Sequence, residues 1–208
     1  MPRRTRTLDP AYFDAIYASD LDPWRFASSA YERNKYAMTL AALPKPRYAR
    51  ALEIGCSIGV LTRELAGRCD AMLAVDVAQA PLTEARRRCA DLPNVGLEQM
   101  FVPEQWPDGG FDLVLLSEVL YYLHAEDVTR LASRVGRSLT PGGNVVLVHW
   151  TEETDYPLTG DQAADLFIDV MAKTMRVFRK DRHFHFRLDV LARIQNAVAQ
   201  PRKGPTRP

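Results

Sequence analysis

Residues 51–61, "ALEIGCSIGVL", run from an apolar strand into a turn bearing Gly55 and Gly59 and out into a helix. A second apolar stretch, "AMLAVDV", ends at Asp76, 23 residues after Glu53. A strand, a glycine turn, a helix and a second strand closing on an acid bring backbone close to a ligand at the carboxyl edge of a parallel sheet. Glycine permits the approach because it lacks Cβ and tolerates positive φ. The acid is placed to accept hydrogen bonds from both hydroxyls of a ribose.

The rhythm continues along the chain. "PLTEARRRCADL" reads as a helix opened by Pro81, "VGLEQMF" as a weaker strand and "FDLVLLSE" as a strong one. A helix follows with Val128, Leu131, Val135 and Leu139 on one side. Then "PGG" at 141–143 reads as a turn and "NVVLVHW" as a buried strand. After the loop "TEETDYPLTG", a helix opened by Asp161 carries Ala163, Leu166, Phe167, Val170 and Met171 at amphipathic spacing. "RKDR" at 179–182 reads as a solvated turn, and "HFHFRLDVLARI" suits a late strand, an antiparallel one closing the sheet's edge. Strands alternating with helices predict an α/β three-layer, doubly wound, mostly parallel seven-stranded sheet.

The first 45 residues form a helical lid segment. Asp9-Pro10 caps one helix, and Ser29 with Glu32 forms a capping-box pattern opening another, ended by Pro44 and Pro46. The main domain is expected over 46–198. The proline-rich, basic stretch 199–208 is expected to be a disordered tail.

A formal net charge of +1 leaves no electrostatic footprint for nucleic acid or an acidic membrane. No run of 18 apolar residues is present to span one. Cys56, Cys69 and Cys89 show no CxxC spacing, so neither a disulfide framework nor a metal site is expected, and a reducing cytoplasm is the expected location. His183 and His185 share a strand face without an acid-rich loop, which suits a solvent- or partner-facing role better than a metal site. The expected partner is a small-molecule acceptor; oligomeric state stays open.

A dinucleotide loop would read G-x-G-x-x-G; here the stretch reads G-C-S-I-G-V. Glu53 at its entry would repel a pyrophosphate. A ligand with a sulfonium and an ammonium would be welcome there, which points to S-adenosylmethionine over a nicotinamide dinucleotide. Both "FDLVLLSE" and "NVVLVHW" deliver candidate bases, Glu118 and His149, to the catalytic edge of the sheet. Imidazole suits neutral pH, whereas Glu118 also suits cofactor binding or a structural cap. Tyr122 joins them in the expected catalytic set. Trp24, Tyr31, Tyr121 and Trp150 form the expected acceptor set, each aromatic reading equally well as packing. Arg33 and Lys35 suit either a cofactor carboxylate or a solvated helix face.

"LEIGCSIG", "VDV", "FDLVLLSEVLYYL" and "TPGGNVVLVHW" resemble the ordered motifs of class I S-adenosylmethionine-dependent methyltransferases. "DPWR" at 22–25, "ER" at 32–33, the Gly55–Gly59 loop and "EVLYYL" at 118–123 resemble the nodulation N-methyltransferase NodS subgroup. The resemblance covers about residues 11–150. It implies that Gly55, Cys56 and Ser57 face the cofactor's methionine part, Asp76 its ribose and Val77 its adenine, with Glu53, Gly59 and Ser117 completing the set. Phe101 stands where relatives commonly carry an adenine-binding aspartate: either the backbone at Val102 takes that hydrogen bond, or the equivalent position lies at a neighbouring residue, or cofactor affinity is reduced. The subgroup implies N-methylation of an amino sugar or chitooligosaccharide-like amine. The alternatives are an O-methyltransferase of a small metabolite and a catalytically silent cofactor-binding scaffold.

Overall fold

A computed structural model describes residues 3–194. The expected tail and the last residues of the expected domain lie outside that range. Seven strands make one sheet: β1 (Tyr48–Ile54), β2 (Cys69–Asp76), β3 (Val95–Gln99), β4 (Phe111–Ser117), β5 (Leu139–Trp150), β6 (Met175–Arg182) and β7 (Phe186–Arg193). Their order is β3-β2-β1-β4-β5-β7-β6. Strands β1 to β5 pair in parallel, and β7 runs antiparallel to both β5 and β6.

Strands that alternate two apolar faces must be covered on both, and the helices do this. On one face Leu52, Ile54, Val114, Leu116 and Leu147 pack with α5 (Ala125–Ser138) and α6 (Gly160–Met171). Val128, Leu131 and Val135 of α5 are fully buried there, as their spacing predicts. On the other face Ala51, Leu113, Leu115, Val146 and Val148 meet α3 (Val60–Ala66) and α4 (Gln79–Arg88) through Leu61, Leu65 and Leu82. Ahead of the sheet lie α1 (Pro10–Ser19), α2 (Ala30–Ala41) and the loop between them. A 3-10 turn, Leu120–Tyr122, follows β4. Asp9 caps α1 as expected, its Oδ1 accepting from Tyr12 N at 3.0 Å.

Several expectations need correction. Ser29 accepts from Glu32 N at 3.4 Å, but the Glu32 side chain turns to Lys35 instead of returning, so the box is half formed. Helix α4 starts at Gln79, ahead of Pro81. Helix α6 is capped by Thr159, in a full box with Gln162, whereas Asp161 pairs with Arg182 and Arg187. "PGG" lies inside β5; Gly142 at φ 72° and a register slip opposite Phe111–Leu113 absorb the expected turn. "RKDR" ends β6, whose exposed edge position explains its charges. That strand, not β7, forms the sheet's edge.

Candidate functional site

Strand order reverses direction between β1 and β4, so the loops leaving β1, β2 and β4 diverge and open a crevice beyond their carboxyl ends. Beneath α1 and α2 this crevice becomes a cavity of about 420 Å³.

The glycine loop forms its floor. Gly55 takes φ +83°, and a Cβ there would stand 2.3 Å from Val119 Cγ2 and 3.2 Å from Ser117 O. Gly59 takes φ +76° ahead of α3, and a Cβ on it would press on Ala85 at 2.9 Å. Between them Ser57 adopts φ 47°. Its N–H donates to Asp76 Oδ2 at 2.8 Å, and Ala78 N–H donates to Asp76 Oδ1 at 3.0 Å. Asp76 thus ties the turn after β1 to the turn after β2. The Tyr17 hydroxyl, from α1, meets Ser57 Oγ at 2.7 Å.

Glu53, 1% exposed, faces this floor, and its Oε2 has no hydrogen-bond partner. Burial pushes it up to about 7, and the neighbouring Asp76 charge adds to the rise. The neighbouring Thr62 hydroxyl offsets part of that rise, and a cation in the cavity would favour the charged carboxylate. This is what the expected cofactor brings, so the residues present fit S-adenosylmethionine.

At the opposite end, Glu118 takes φ 58°, a strained setting for a side chain larger than glycine. Its Oε1 accepts from Lys35 Nζ at 2.6 Å. Its Oε2 accepts from the Tyr121 hydroxyl at 2.7 Å and from Trp150 N at 2.8 Å. Lys35 also pairs with Glu32 at 2.9 Å, and its side chain is only 3% exposed. Burial would raise the Glu118 carboxyl, but Lys35 and the donors around it outweigh burial and hold it below its usual range. For Glu32 burial wins and the carboxyl sits above its usual range.

Of the residues expected from sequence, Trp24, Tyr31, Glu53, Gly55, Cys56, Ser57, Asp76, Val77, Phe101, Val102, Ser117, Glu118, Tyr121, Tyr122 and Trp150 line the cavity. Gly59 shapes the loop from behind. Two expectations fail. His149 is fully buried and does not reach the cavity: its Nε2 accepts from Leu120 N at 3.2 Å, and burial lowers it to about 4. A strand alternates its faces, so with Trp150 at the mouth its neighbour points into the core. Arg33 lies on the outer face of α2 and donates to Ser28 O at 2.8 Å. Lys35, two residues on, faces inward. Phe101 contributes ring carbons only, because its N–H is taken by Gln105 Oε1 at 2.7 Å. His183 and His185 lie in the turn between β6 and β7 rather than along a strand, half-buried and stacked on Phe186 and Trp150 respectively.

Sequence reasoning missed Phe13, Tyr17, Glu32, Tyr36, Met100 and Tyr156 among the lining residues. The Glu32–Lys35 spacing was a visible signal of an intrahelical pair; for the others, nothing local marks the lining face. Among the described residues no group of three His, Cys, Asp or Glu is placed to hold a metal ion, and no helix is long and apolar enough to cross a membrane.

The family model described as Nodulation protein S (NodS) matches residues 16–147. The Nodulation protein S of Rhizobium tropici is 35% identical over 129 residues, 60% of this chain and 53% of its own length. That of Sinorhizobium fredii is 31% identical over 129 residues, with 60% and 59% covered. The chain therefore spans between half and three fifths of the length of these relatives. Among solved structures, N-methyltransferase NodS of Bradyrhizobium japonicum WM9, in complex with S-adenosyl-l-homocysteine, is similar at TM-score 0.76 and 21% identity. The match covers 89% of this chain and 98% of that one, and it shows the fold. A solved protein of Pseudomonas syringae is 35% identical at TM-score 0.67, with 79% and 100% covered.

Proposed function

The chain belongs to the Nodulation protein S family, and on that premise we propose that it transfers a methyl group from S-adenosylmethionine to the nitrogen of a small polar amine of amino-sugar type. One observation carries the reading: four carboxylates, Glu32, Glu53, Asp76 and Glu118, line the cavity against one ammonium, Lys35. A cavity of that balance attracts cations and repels anionic acceptors.

When bound, S-adenosylmethionine supplies an electrophilic methyl group on a positively charged sulfur. Glu53 and the turn Gly55–Ser57 would hold its cationic amino-acid end, Asp76 its ribose, and Val77 and Phe101 would pack on its adenine.

Glu118 keeps its charge and spends its oxygens on Lys35, Tyr121 and Trp150. It is a positioning residue, fixing the Tyr121 hydroxyl as a donor towards itself. The remaining lone pair on that hydroxyl accepts a hydrogen bond from an acceptor N–H and aims the nitrogen lone pair at the methyl group. His149, neutral and out of reach, takes no proton. The acceptor is drawn in as the ammonium that the carboxylates favour, loses its proton to solvent at the mouth to free the lone pair, and would leave as a methylammonium. Holding two reactants in line is worth up to about 7–11 kcal/mol of barrier, so positioning suffices as the main contribution.

Incubation with labelled cofactor and either glucosamine oligomers or hydroxylated acceptors without amines tests the reading. Label is expected on the amines and would be absent from the others; label on hydroxyls alone overturns the nitrogen preference.

The cofactor site carries its own signature. Glu53, held at about 7, is partly protonated in the free protein at neutral pH. A bound cation favours the charged carboxylate, so binding should release part of a proton. Calorimetry with S-adenosylhomocysteine at pH 7, in buffers of different ionisation enthalpy, should detect this release, and Glu53→Gln should abolish it. Equal binding heats in all buffers for the native protein would rule out this role for Glu53.

A further inference from the structure

His149 stops short of the cavity, yet it touches the element that carries Tyr121. Its Nε2 accepts from Leu120 N at 3.2 Å. Leu120 opens the 3-10 turn Leu120–Tyr122, and the first N–H of a helical turn has no acceptor within it. Both residues are fully buried, so solvent does not reach that N–H. An accepting Nε2 leaves the ring proton on Nδ1, which has no hydrogen-bond partner among the described residues. The imidazole thus accepts where the turn needs an acceptor and leaves its own proton unpaired. The same ring braces the turn from the side. Tyr121 meets it edge to face, with centroids 5.6 Å apart and planes at 83°. The far end of the turn is held separately, through Tyr122 O, which accepts from Leu8 N at 2.9 Å.

We propose that His149 is a positioning residue for methyl transfer: as a neutral imidazole it fixes the start of this turn and the Tyr121 ring, and through them the hydroxyl that orients the acceptor nitrogen. The proposal rests on the methyl-transfer reading only for what the Tyr121 hydroxyl does with the acceptor. Neutrality is essential, because a second ring proton would set Nε2–H against Leu120 N–H, donor against donor. The charged groups facing the ring are Glu118 from the end of β4, Lys35 from α2 and Arg187 from β7, the residue paired with His149 across the sheet. Beside them stands the Tyr121 hydroxyl, which donates to Glu118 Oε2 at 2.7 Å. Burial, with Arg187 and Lys35, outweighs the pull of Glu118 and lowers the ring to about 4. A carboxylate in place of His149 would accept the same bond but would stand as a second negative charge beside Glu118.

Nitrogen NMR of the native protein, labelled at histidine, reads the tautomer and needs no variant. Nδ1 is expected to carry the proton and Nε2 none, with no titration of this ring between about pH 5 and 8. The reverse tautomer, or titration near the ordinary value of about 6.5, overturns the proposal. His149→Phe keeps a ring and removes the acceptor, whereas His149→Gln keeps an acceptor oxygen. With a glucosamine acceptor the Phe variant is expected to lower kcat roughly a hundred-fold, the cost of a misplacement on the order of 1 Å. Affinity for S-adenosylhomocysteine should stay as it is, and the Gln variant should recover most of the loss. An unchanged kcat, equal losses in the two variants, or a matching fall in S-adenosylhomocysteine affinity leaves His149 a packing residue and overturns the proposal. If the native protein methylates no amine, the reaction assignment fails, and amide hydrogen exchange then reads the turn alone. Exchange at Leu120 should quicken roughly ten- to a hundred-fold in the Phe variant, the effect of orphaning a buried donor, and stay near native in the Gln variant. Equal exchange in the native and Phe proteins overturns the role of His149 in holding the turn.

Discussion

Lys35→Met is expected to lower stability by about 3–5 kcal/mol at neutral pH, the cost of leaving a buried ion pair half dismantled. Methionine fills a similar volume, so the loss comes from charge rather than packing. The two carboxylates it abandons, Glu32 and Glu118, have side chains 9% and 14% exposed. The pH dependence follows from Glu118, whose pKa lies below its usual range in the native fold. Its contribution is present above the ordinary carboxylate pKa and is lost as pH falls through the lower, folded value. In the variant both carboxylates lose their counter-charge and protonate more readily. The gap between native and variant should therefore be widest above the ordinary carboxylate range and narrow as pH falls through and below it. Urea unfolding at several pH values measures it; a gap below 1 kcal/mol, or one flat with pH, would contradict the coupling. Since Lys35 stands on α2 and Glu118 after β4, the same variant should also loosen the segment that roofs the cavity.

Asp76→Asn is expected to weaken S-adenosylhomocysteine binding by roughly two orders of magnitude, despite being nearly isosteric. Both carboxylate oxygens already accept backbone N–H groups, from Ser57 and Ala78. An amide must turn its NH2 towards one of them, setting donor against donor. On the proposed reading the variant also weakens two hydrogen bonds from the ribose hydroxyls, each worth about 1.5–3 kcal/mol when made to a charged acceptor. Calorimetry gives the affinity, and thermal unfolding without ligand separates loop damage from lost ligand contacts. Unchanged affinity would remove Asp76 from the cofactor site.

The cofactor side of the cavity was legible because its determinants are local. Glycines at 55 and 59, the acid at the end of β2 and the apolar runs of β1 and β4 each leave a mark within a few residues. The acceptor side was legible only in part. His149 looked like a base because it ends a buried strand, yet a one-residue difference in facing sends it to the core and Trp150 to the mouth. Arg33 and Lys35 differ in the same way around α2. Glu118 was found, but its engagement with Lys35 depends on a contact 83 residues away, which no local pattern encodes. Strand β6 escaped notice because an edge strand with one exposed side carries charges that read as a turn.

The register of β5 against β7 has a consequence for the mouth. The walls facing the expected cofactor come from β1, β2 and β4, all within the stretch shared with the family. One side of the aromatic mouth is carried by the β6–β7 hairpin, which enters the sheet after that stretch, through Trp150 paired to Phe186. The mouth is thus built from two lengths of chain, Trp24, Tyr31 and Tyr121 from within the shared stretch and Trp150 with the hairpin from beyond it, joined by the bond from Trp150 N to Glu118. Changes in the hairpin can therefore reshape the mouth while the walls contributed by β1, β2 and β4 stay as they are.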